Sequence, residues 1–216
     1  LINRFCSGVL SSTYHDIIKD RLYTLHRDDP KRRSTQTAIF KIFETFVSLI
    51  GPLLPFTADE AWSFHKTKQK LGSDFLALQK WPESDKAWKE SLEVEDAEKL
   101  LNLKESKINE VLESLRSSKE IGQSLEAELI ITCPKEDDLF EILERRQEDL
   151  AELFIVSSVI VNSSDANSDL SVSAHHAPGV RCPRSWRWVP ELVEVENWGP
   201  VSPRCANVLT KINHSI

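Results

Sequence analysis

Apolar positions recur at near-helical spacing from the first residues of this chain. Ile2, Phe5, Val9, Tyr14, Ile17, Ile18 and Leu22 form one stripe, and Asp16, Lys19, Asp20 and Arg21 fill the other side of its later half. This pattern predicts an amphipathic helix that stops near His26-Arg-Asp-Asp-Pro30. Lys31-Arg32-Arg33 follows, and Ser34 reads as the N-cap of a second helix. Its stripe is Ile39, Ile42, Phe43, Phe46, Val47 and Ile50, and Gly51-Pro52 breaks it. Thr57-Ala-Asp-Glu60 has the form of a capping box, which predicts a short helix through Trp62 and Phe64. Residues 68–90, with Gly72, Trp81, Pro82 and Trp88, read as irregular. A long charged helix is predicted from Leu92 to Ser117, with Val94, Leu101, Ile108, Val111, Leu112 and Leu115 facing inward.

The period then changes from helical to alternating. Leu125, Ala127, Leu129 and Ile131 alternate with Glu126, Glu128, Ile130 and Thr132, the pattern of a strand with one buried face. Glu136–Gln147 reads as a helix, Phe154–Val161 as a second strand, Ser163–Ser168 as a polar turn and Leu170–Ala174 as a third strand. His175–Gly179 links this unit to a terminal segment carrying Cys182-Pro-Arg-Ser185 and Ser202-Pro-Arg-Cys205. Were Ser185 and Ser202 cysteines, the segment would be a paired C-x-x-C zinc module. The expected fold class is mainly α with a small α/β part. The expected domains are a helical bundle at 1–118, a small α/β junction at 119–178 and a degenerate zinc-finger-like knuckle module at 179–216.

Composition narrows the class. Hydrophobic residues are 40% and charged residues 28% of 216, ordinary for a globular chain. No apolar run reaches the roughly 18–20 residues that cross a bilayer, and no membrane partner is expected. The start, Leu1-Ile-Asn-Arg-Phe, lacks the basic and apolar regions of a signal peptide. Four cysteines (Cys6, Cys133, Cys182 and Cys205) do not make a disulfide framework, so a cytoplasmic setting is expected. The net charge of −7 argues against a broadly basic surface but leaves room for a local basic patch. Methionine is absent, which suggests a fragment of a longer chain. Asn162-Ser-Ser and Asn213-His-Ser match a glycosylation pattern that recurs by chance.

Motifs for catalysis are missing. There is no Gly-rich phosphate loop, no H-E-x-x-H and no G-x-S-x-G, and only six glycines are present. The abundant carboxylates fall on solvent faces of the expected helices. His15, His26 and His65 read as surface or packing residues rather than catalytic bases.

Several segments, taken in order, carry a resemblance. His15-Asp-Ile-Ile-Lys-Asp-Arg-Leu-Tyr23 resembles the Y-x-D-x-x-K-D-R-L-Y helix of class I isoleucyl-tRNA synthetases. Arg32-Arg33-Ser34-x-Gln36-Thr37, Leu54-Pro-Phe-Thr-Ala-Asp-Glu-Ala-Trp62 and Trp81-Pro82 follow in the same order as in that family. So do Ile121-Gly-x-Ser124-Leu-Glu-Ala127, Leu153-Phe-Ile-Val-Ser157 and the terminal Cys-x-x-Ser-Trp…Ser-x-x-Cys. The first three blocks also occur in valyl and leucyl relatives, so the equivalent region of such an enzyme is the nearest rival. A helical protein-interaction scaffold is the rival from another class.

The resemblance implies the region downstream of the family's ATP-dependent, isoleucine-activating domain and its editing insertion. The HIGH and KMSKS activation sequences are absent here, so the chain is expected to be catalytically silent. ATP and magnesium would belong to the rest of the enzyme. The expected fold is the helical anticodon-binding bundle of class I synthetases. The expected partners are tRNA(Ile) and the missing N-terminal domains, with the chain acting as a monomer. By the same resemblance, Arg184 would donate to a phosphate or base edge and Trp186 would stack on a base of the anticodon loop. The alternative for Trp186 is packing inside the knuckle. Lys31, Arg32 and Arg33 would bind the anticodon stem, or else form a solvated loop. Lys19 and Arg21 are weaker candidates, better read as surface ion-pair partners of Asp16 or Asp20.

The family's zinc is not expected here. Cys182 and Cys205 are the remaining zinc-type positions, and Ser185 and Ser202 replace the other ligands with hydroxyls that stay protonated near neutral pH. Borrowing His175 and His176 would restore a Cys₂His₂ count, but strand neighbours point to opposite faces. A metal-free knuckle held by its tryptophans, prolines, Val189, Leu192 and Val201 is expected, with Cys182 and Cys205 facing each other and open to disulfide formation.

Overall fold

The computed structural model describes residues 1–64, 75–84, 91–166 and 168–213. His65, Gly72 and Trp88, singled out above, lie outside the described residues. The chain divides into two compact units, Asp28–Lys89 and Leu1–Arg27 with Glu90–Ile216. The first helical run therefore belongs with the second half of the sequence rather than with the segment that follows it.

That run comprises α1 (Ile2–Arg4), a π-register stretch (Phe5–Tyr14), α2 (His15–Ile17) and α3 (Lys19–Thr24). Phe5 and Val9 are exposed, contrary to the inward stripe expected of them, and burial begins at Ile18. Hydroxyls explain part of the difference. Ser7 Oγ donates to the Asn3 carbonyl at 2.9 Å, Ser12 Oγ to that of Gly8, and Thr13 Oγ1 also to Gly8 at 3.3 Å. Such back-bonding competes with the regular ladder, and the wider register rotates the stripe away from a 3.6-residue period.

The smaller unit holds α4 (Pro30–Ile50) and α5 (Pro55–Ser63). Asp29, not Ser34, caps α4: its carboxylate accepts from the Lys31 amide at 2.9 Å, with Pro30 at the first helical position. The basic triplet is thus the first turn of the helix rather than a loop before it. Nor does Thr57 cap α5. Leu54 precedes Pro55 there, and Thr57 lies inside the helix. Pro55 supplies a preset φ at the first helical position, which draws the start three residues earlier than the capping box implied. Val47, Ala58, Trp62 and Leu76 make this unit's core.

The larger unit continues with α6 (Leu92–Leu103), a π turn (Lys104–Ile108) and α7 (Asn109–Ser117), the expected long helix. Its buried residues are Asp96, Leu100 and Leu103 before the π turn, Ile108 at the end of it, and Leu112 and Leu115 after it. Val94, Leu101 and Val111 are only half-buried. The expected stripe assumed one 3.6-residue period throughout, and the π turn shifts the phase midway.

β1 (Ala127–Pro134) lies central in a three-stranded sheet of order β2-β1-β3. Helices α8 (Asp138–Arg145) and α9 (Gln147–Leu153) lead to β2 (Ser158–Ser164), which runs parallel to β1, and β3 (Ser171–His176) is antiparallel to it. Ala127, Leu129, Ile131 and Cys133 are each 0% exposed, the alternation expected of a one-sided strand. Phe154 and Val156, assigned above to the second strand, instead fill the core from the turn before it. Phe140, Leu143 and Leu150 close the core from the helices.

The rest of the unit consists of short paired strands and a helix. β4 (Val180–Arg181) pairs with β5 (Trp188–Val189), β6 (Val193–Val195) pairs with β7 (Gly199–Val201), and α10 (Pro203–Asn213) follows. No helix among the described residues is long and apolar enough to cross a membrane.

Candidate nucleic-acid interface

The strand pair β4–β5 frames a tight turn. The Trp186 amide donates to the Cys182 carbonyl at 2.8 Å, and the Cys182 amide donates to the Arg187 carbonyl at 2.9 Å. Closing the turn this way puts Trp186 at φ +63°, a left-handed conformation that costs a bulky residue free energy. It also turns the indole outward: Trp186 is 52% exposed. The interior-packing alternative for this ring does not hold. The Arg181 guanidinium lies 5.4 Å from the ring centroid, a cation–π pair that stiffens the side chain and leaves it accessible. Arg181 was not among the expected site residues, although its place five positions before a tryptophan was visible.

The second turn is also a helix start. Ser202 is the N-cap of α10: its hydroxyl accepts from the Cys205 amide at 3.3 Å, its carbonyl accepts from the Ala206 amide at 2.9 Å, and Pro203 occupies the first helical position. The two turns converge on the sulfurs, with Cys182 Sγ and Cys205 Sγ 3.9 Å apart. The Ser202 amide donates to Cys182 Sγ at 3.2 Å. Burial pushes the Cys182 thiol up, but hydroxyl donors from Ser185 and Ser202, joined by the amides of both residues, outweigh it and bring the pKa down to about 6. Cys182, Ser185, Ser202 and Cys205 are all buried.

Arg184 points back into the protein. Its Nη1 donates to the Thr24 carbonyl at 2.6 Å and its Nη2 to the Tyr23 carbonyl at 3.4 Å, capping the end of α3. Beside it, Asp20 accepts from Arg204 Nη2 at 2.6 Å, Arg204 Nη1 at 2.7 Å and Arg187 Nη2 at 3.2 Å. Burial raises this carboxyl's pKa, but the paired guanidiniums more than reverse that and hold it below the usual carboxylate value. Lys19 and Arg21 were expected to pair with Asp16 or Asp20. Lys19 does pair with Asp16, at 2.6 Å, whereas Arg21 pairs with Glu152. Asp96 also departs from the expected solvated face. It is buried and bonded by Arg145 at 2.7 Å and Arg146 at 2.7 Å.

Trp186 borders an open cleft of about 590 Å³ that Tyr23, Gln123, Leu125, Ile155 and Arg184 also line. Its acidic members, Asp16, Asp20 and Glu152, are each paired with a cation. Net repulsion of an anionic ligand is therefore small, and the cleft offers an aromatic platform with the Gln123 amide and the Ser124 hydroxyl beside it. Lys31, Arg32 and Arg33 sit on the first turn of α4 in the other unit, so the two groups of expected RNA-binding residues lie on different compact units.

The four converging positions do not fit a structural zinc ion. Zinc at such a site takes thiolate or imidazole ligands. Here two of the four groups are hydroxyls, and that of Ser202 is already committed to capping α10. The nearby imidazoles are engaged elsewhere. His175 Nε2 lies 3.1 Å from Glu128 Oε1, and His176 packs edge-on against Trp188 with centroids 4.4 Å apart.

Residues 1–131 match the family described as the anticodon-binding domain of tRNA ligase. Similar curated proteins include the isoleucine–tRNA ligase of Thermotoga maritima, 36% identical over 215 residues, covering 97% of this chain and 23% of that protein. The isoleucine–tRNA ligase of Fervidobacterium nodosum is 37% identical over 210 residues, covering 95% of this chain and 22% of its own length. That of Dichelobacter nodosus is 37% identical over 218 residues, covering 94% and 21%. The chain thus spans less than a quarter of the length of these relatives.

Proposed function

Because the chain belongs to the anticodon-binding domain family of tRNA ligases, we propose that it is the tRNA-binding C-terminal region of an isoleucine–tRNA ligase. The observation that carries this reading is the similarity to isoleucine–tRNA ligases across 97% of the chain, well beyond the family match at 1–131. The region holds the anticodon stem-loop of tRNA(Ile) and thereby positions the distant acceptor end. Attachment of isoleucine, with its ATP and magnesium, belongs to the rest of the enzyme, which acts as a cytoplasmic monomer. This region itself catalyses nothing.

In this reading the terminal segment is a metal-free knuckle module. Trp186 is the stacking platform, and Arg181 rather than Arg184 supplies the nearest phosphate-directed charge. Arg184 supports the platform by tying its turn to the end of α3. Lys31, Arg32 and Arg33 provide a second, sequence-independent contact on the stem, aided by the positive end of α4.

Fluorescence titration of the 216-residue chain with tRNA(Ile) and with an unrelated tRNA tests the reading. The expected result is preference for tRNA(Ile). Trp186→Ala should weaken binding by roughly 5–150-fold, the worth of one base–aromatic stack at about 1–3 kcal/mol. Equal affinity for both RNAs, with Trp186→Ala silent, would remove the anticodon-reading role.

A further inference from the structure

The two sulfurs that face each other where the turns meet lie buried, and the four side chains converging there do not fit a structural zinc ion. We propose that Cys182 and Cys205 are a redox-active dithiol, which a hydroperoxide closes to a reversible disulfide joining the two turns.

Several independent features support this. The sulfurs are 3.9 Å apart and in hydrogen-bond contact, so a small side-chain rotation brings them to bonding distance. Both cysteines are free thiols, Cys182 0% and Cys205 1% exposed. Each sulfur has a donor beside it. The Ser202 amide donates to Cys182 Sγ at 3.2 Å, and the Arg184 guanidinium lies 3.9 Å from Cys205 Sγ. Burial selects the oxidant by size: at 0% and 1% exposure any oxidant reaches the sulfurs only as the turns open, and hydrogen peroxide needs a far smaller opening than a bulky disulfide such as oxidised glutathione.

The chemistry balances with peroxide as the sole co-reactant. The Cys182 thiolate attacks one peroxide oxygen, the O–O bond breaks, and the departing hydroxide takes a proton to leave as water. Cys182 is now a sulfenic acid. The Cys205 sulfur attacks Cys182 Sγ, the S–O bond breaks, and the oxygen leaves as a second water. Two thiols lose two electrons and two protons in all, and one peroxide becomes two waters. A dithiol reductant reverses the bridge by exchange. Oxidation would fasten the Cys182–Ser185 turn, which presents Trp186, to the start of α10.

Peptide mapping of the reduced 216-residue chain after treatment with equimolar hydrogen peroxide, alkylation and non-reducing digestion tests this. The expected product is a Cys182–Cys205 linked peptide that disappears with dithiothreitol, leaving Cys6 and Cys133 alkylated. Cys205→Ser should let the Cys182 sulfenic acid be trapped by dimedone. Irreversible sulfinic acid at Cys182 in the unmodified chain would overturn the proposal. So would crosslinking through Cys6 while Cys182 and Cys205 stay alkylatable.

Discussion

Replacing Asp20 by asparagine removes one negative charge from between two guanidiniums while keeping the side-chain shape. Asp20 and Arg187 are each 16% exposed, and Arg204, at 41%, can turn to solvent. The cost therefore falls mainly on Arg187, left buried with only Glu152, which it shares with Arg21, as counter-charge. Removing one partner of a fully buried pair costs about 3–5 kcal/mol. Partial access to water puts this case at the low end, about 3 kcal/mol. For a chain of this size that lowers the melting temperature by about 6–12 °C. The sign of the pH dependence follows from the depressed carboxyl. Stability from the ionised Asp20 is fully present above the ordinary aspartate pKa of about 3.9 and is lost as pH falls through the lower folded value. The difference between the chain and Asp20→Asn should be constant near pH 7 and close in acid. Urea melts followed by circular dichroism at pH 7 and under acid conditions read both effects. A variant within about 0.5 kcal/mol of the parent at pH 7, or a deficit unchanged in strong acid, would refute the reasoning.

Gly179→Ala should destabilise the terminal turns. At φ +98° its new Cβ would meet the Val189 carbonyl oxygen at 2.1 Å, and limited proteolysis should find earlier cleavage near residue 179. Restoring both thiols with Ser185→Cys and Ser202→Cys should create a four-thiolate site that takes up one zinc per chain by elemental analysis, with some loss of helix α10 because its cap is gone. Leu129→Ala, at a 0% exposed position in the central strand, should cost about 3–5 kcal/mol in a denaturant melt.

Elements whose signal is local could be read from sequence. The alternation of Ala127, Leu129 and Ile131 announces β1, and Gly51-Pro52 ends α4 where the proline demands. Elements whose position depends on competition were misplaced. Asp29-Pro30 outcompetes Ser34 as a helix start, because a proline at the first helical position adds preset geometry to a carboxylate cap. The π turn at Lys104–Ile108 has no composition signature, so the phase shift that buries Asp96 and Leu100 was invisible. At the site, the exposure of Trp186 follows from a left-handed φ set by the turn, and no single residue type signals that. Pairings far apart in sequence, such as Arg184 with Thr24 or Arg204 with Asp20, arise only when α3 and the terminal segment meet.

These long-range pairings explain how the Cys182–Ser185 and Ser202–Cys205 turns close on each other with two cysteines rather than four. A zinc ion would fix the two turns to each other through its ligand bonds. Here three other fastenings serve. The Ser202 amide and hydroxyl bind Cys182 across the gap while the same residue caps α10. Asp20 grips Arg187 from the first turn region and Arg204 from the second, tying both to α3. Leu209, Val201 and Ala206 bury an apolar cluster around the sulfurs. Serine at position 202 is then more than a lost ligand, because a cysteine there would weaken the helix cap. The serine and the Asp20 cluster together hold both turns and so keep Trp186 presented. The double cysteine variant and Asp20→Asn separate the two modes. Zinc should rescue the former, and no metal should rescue the latter.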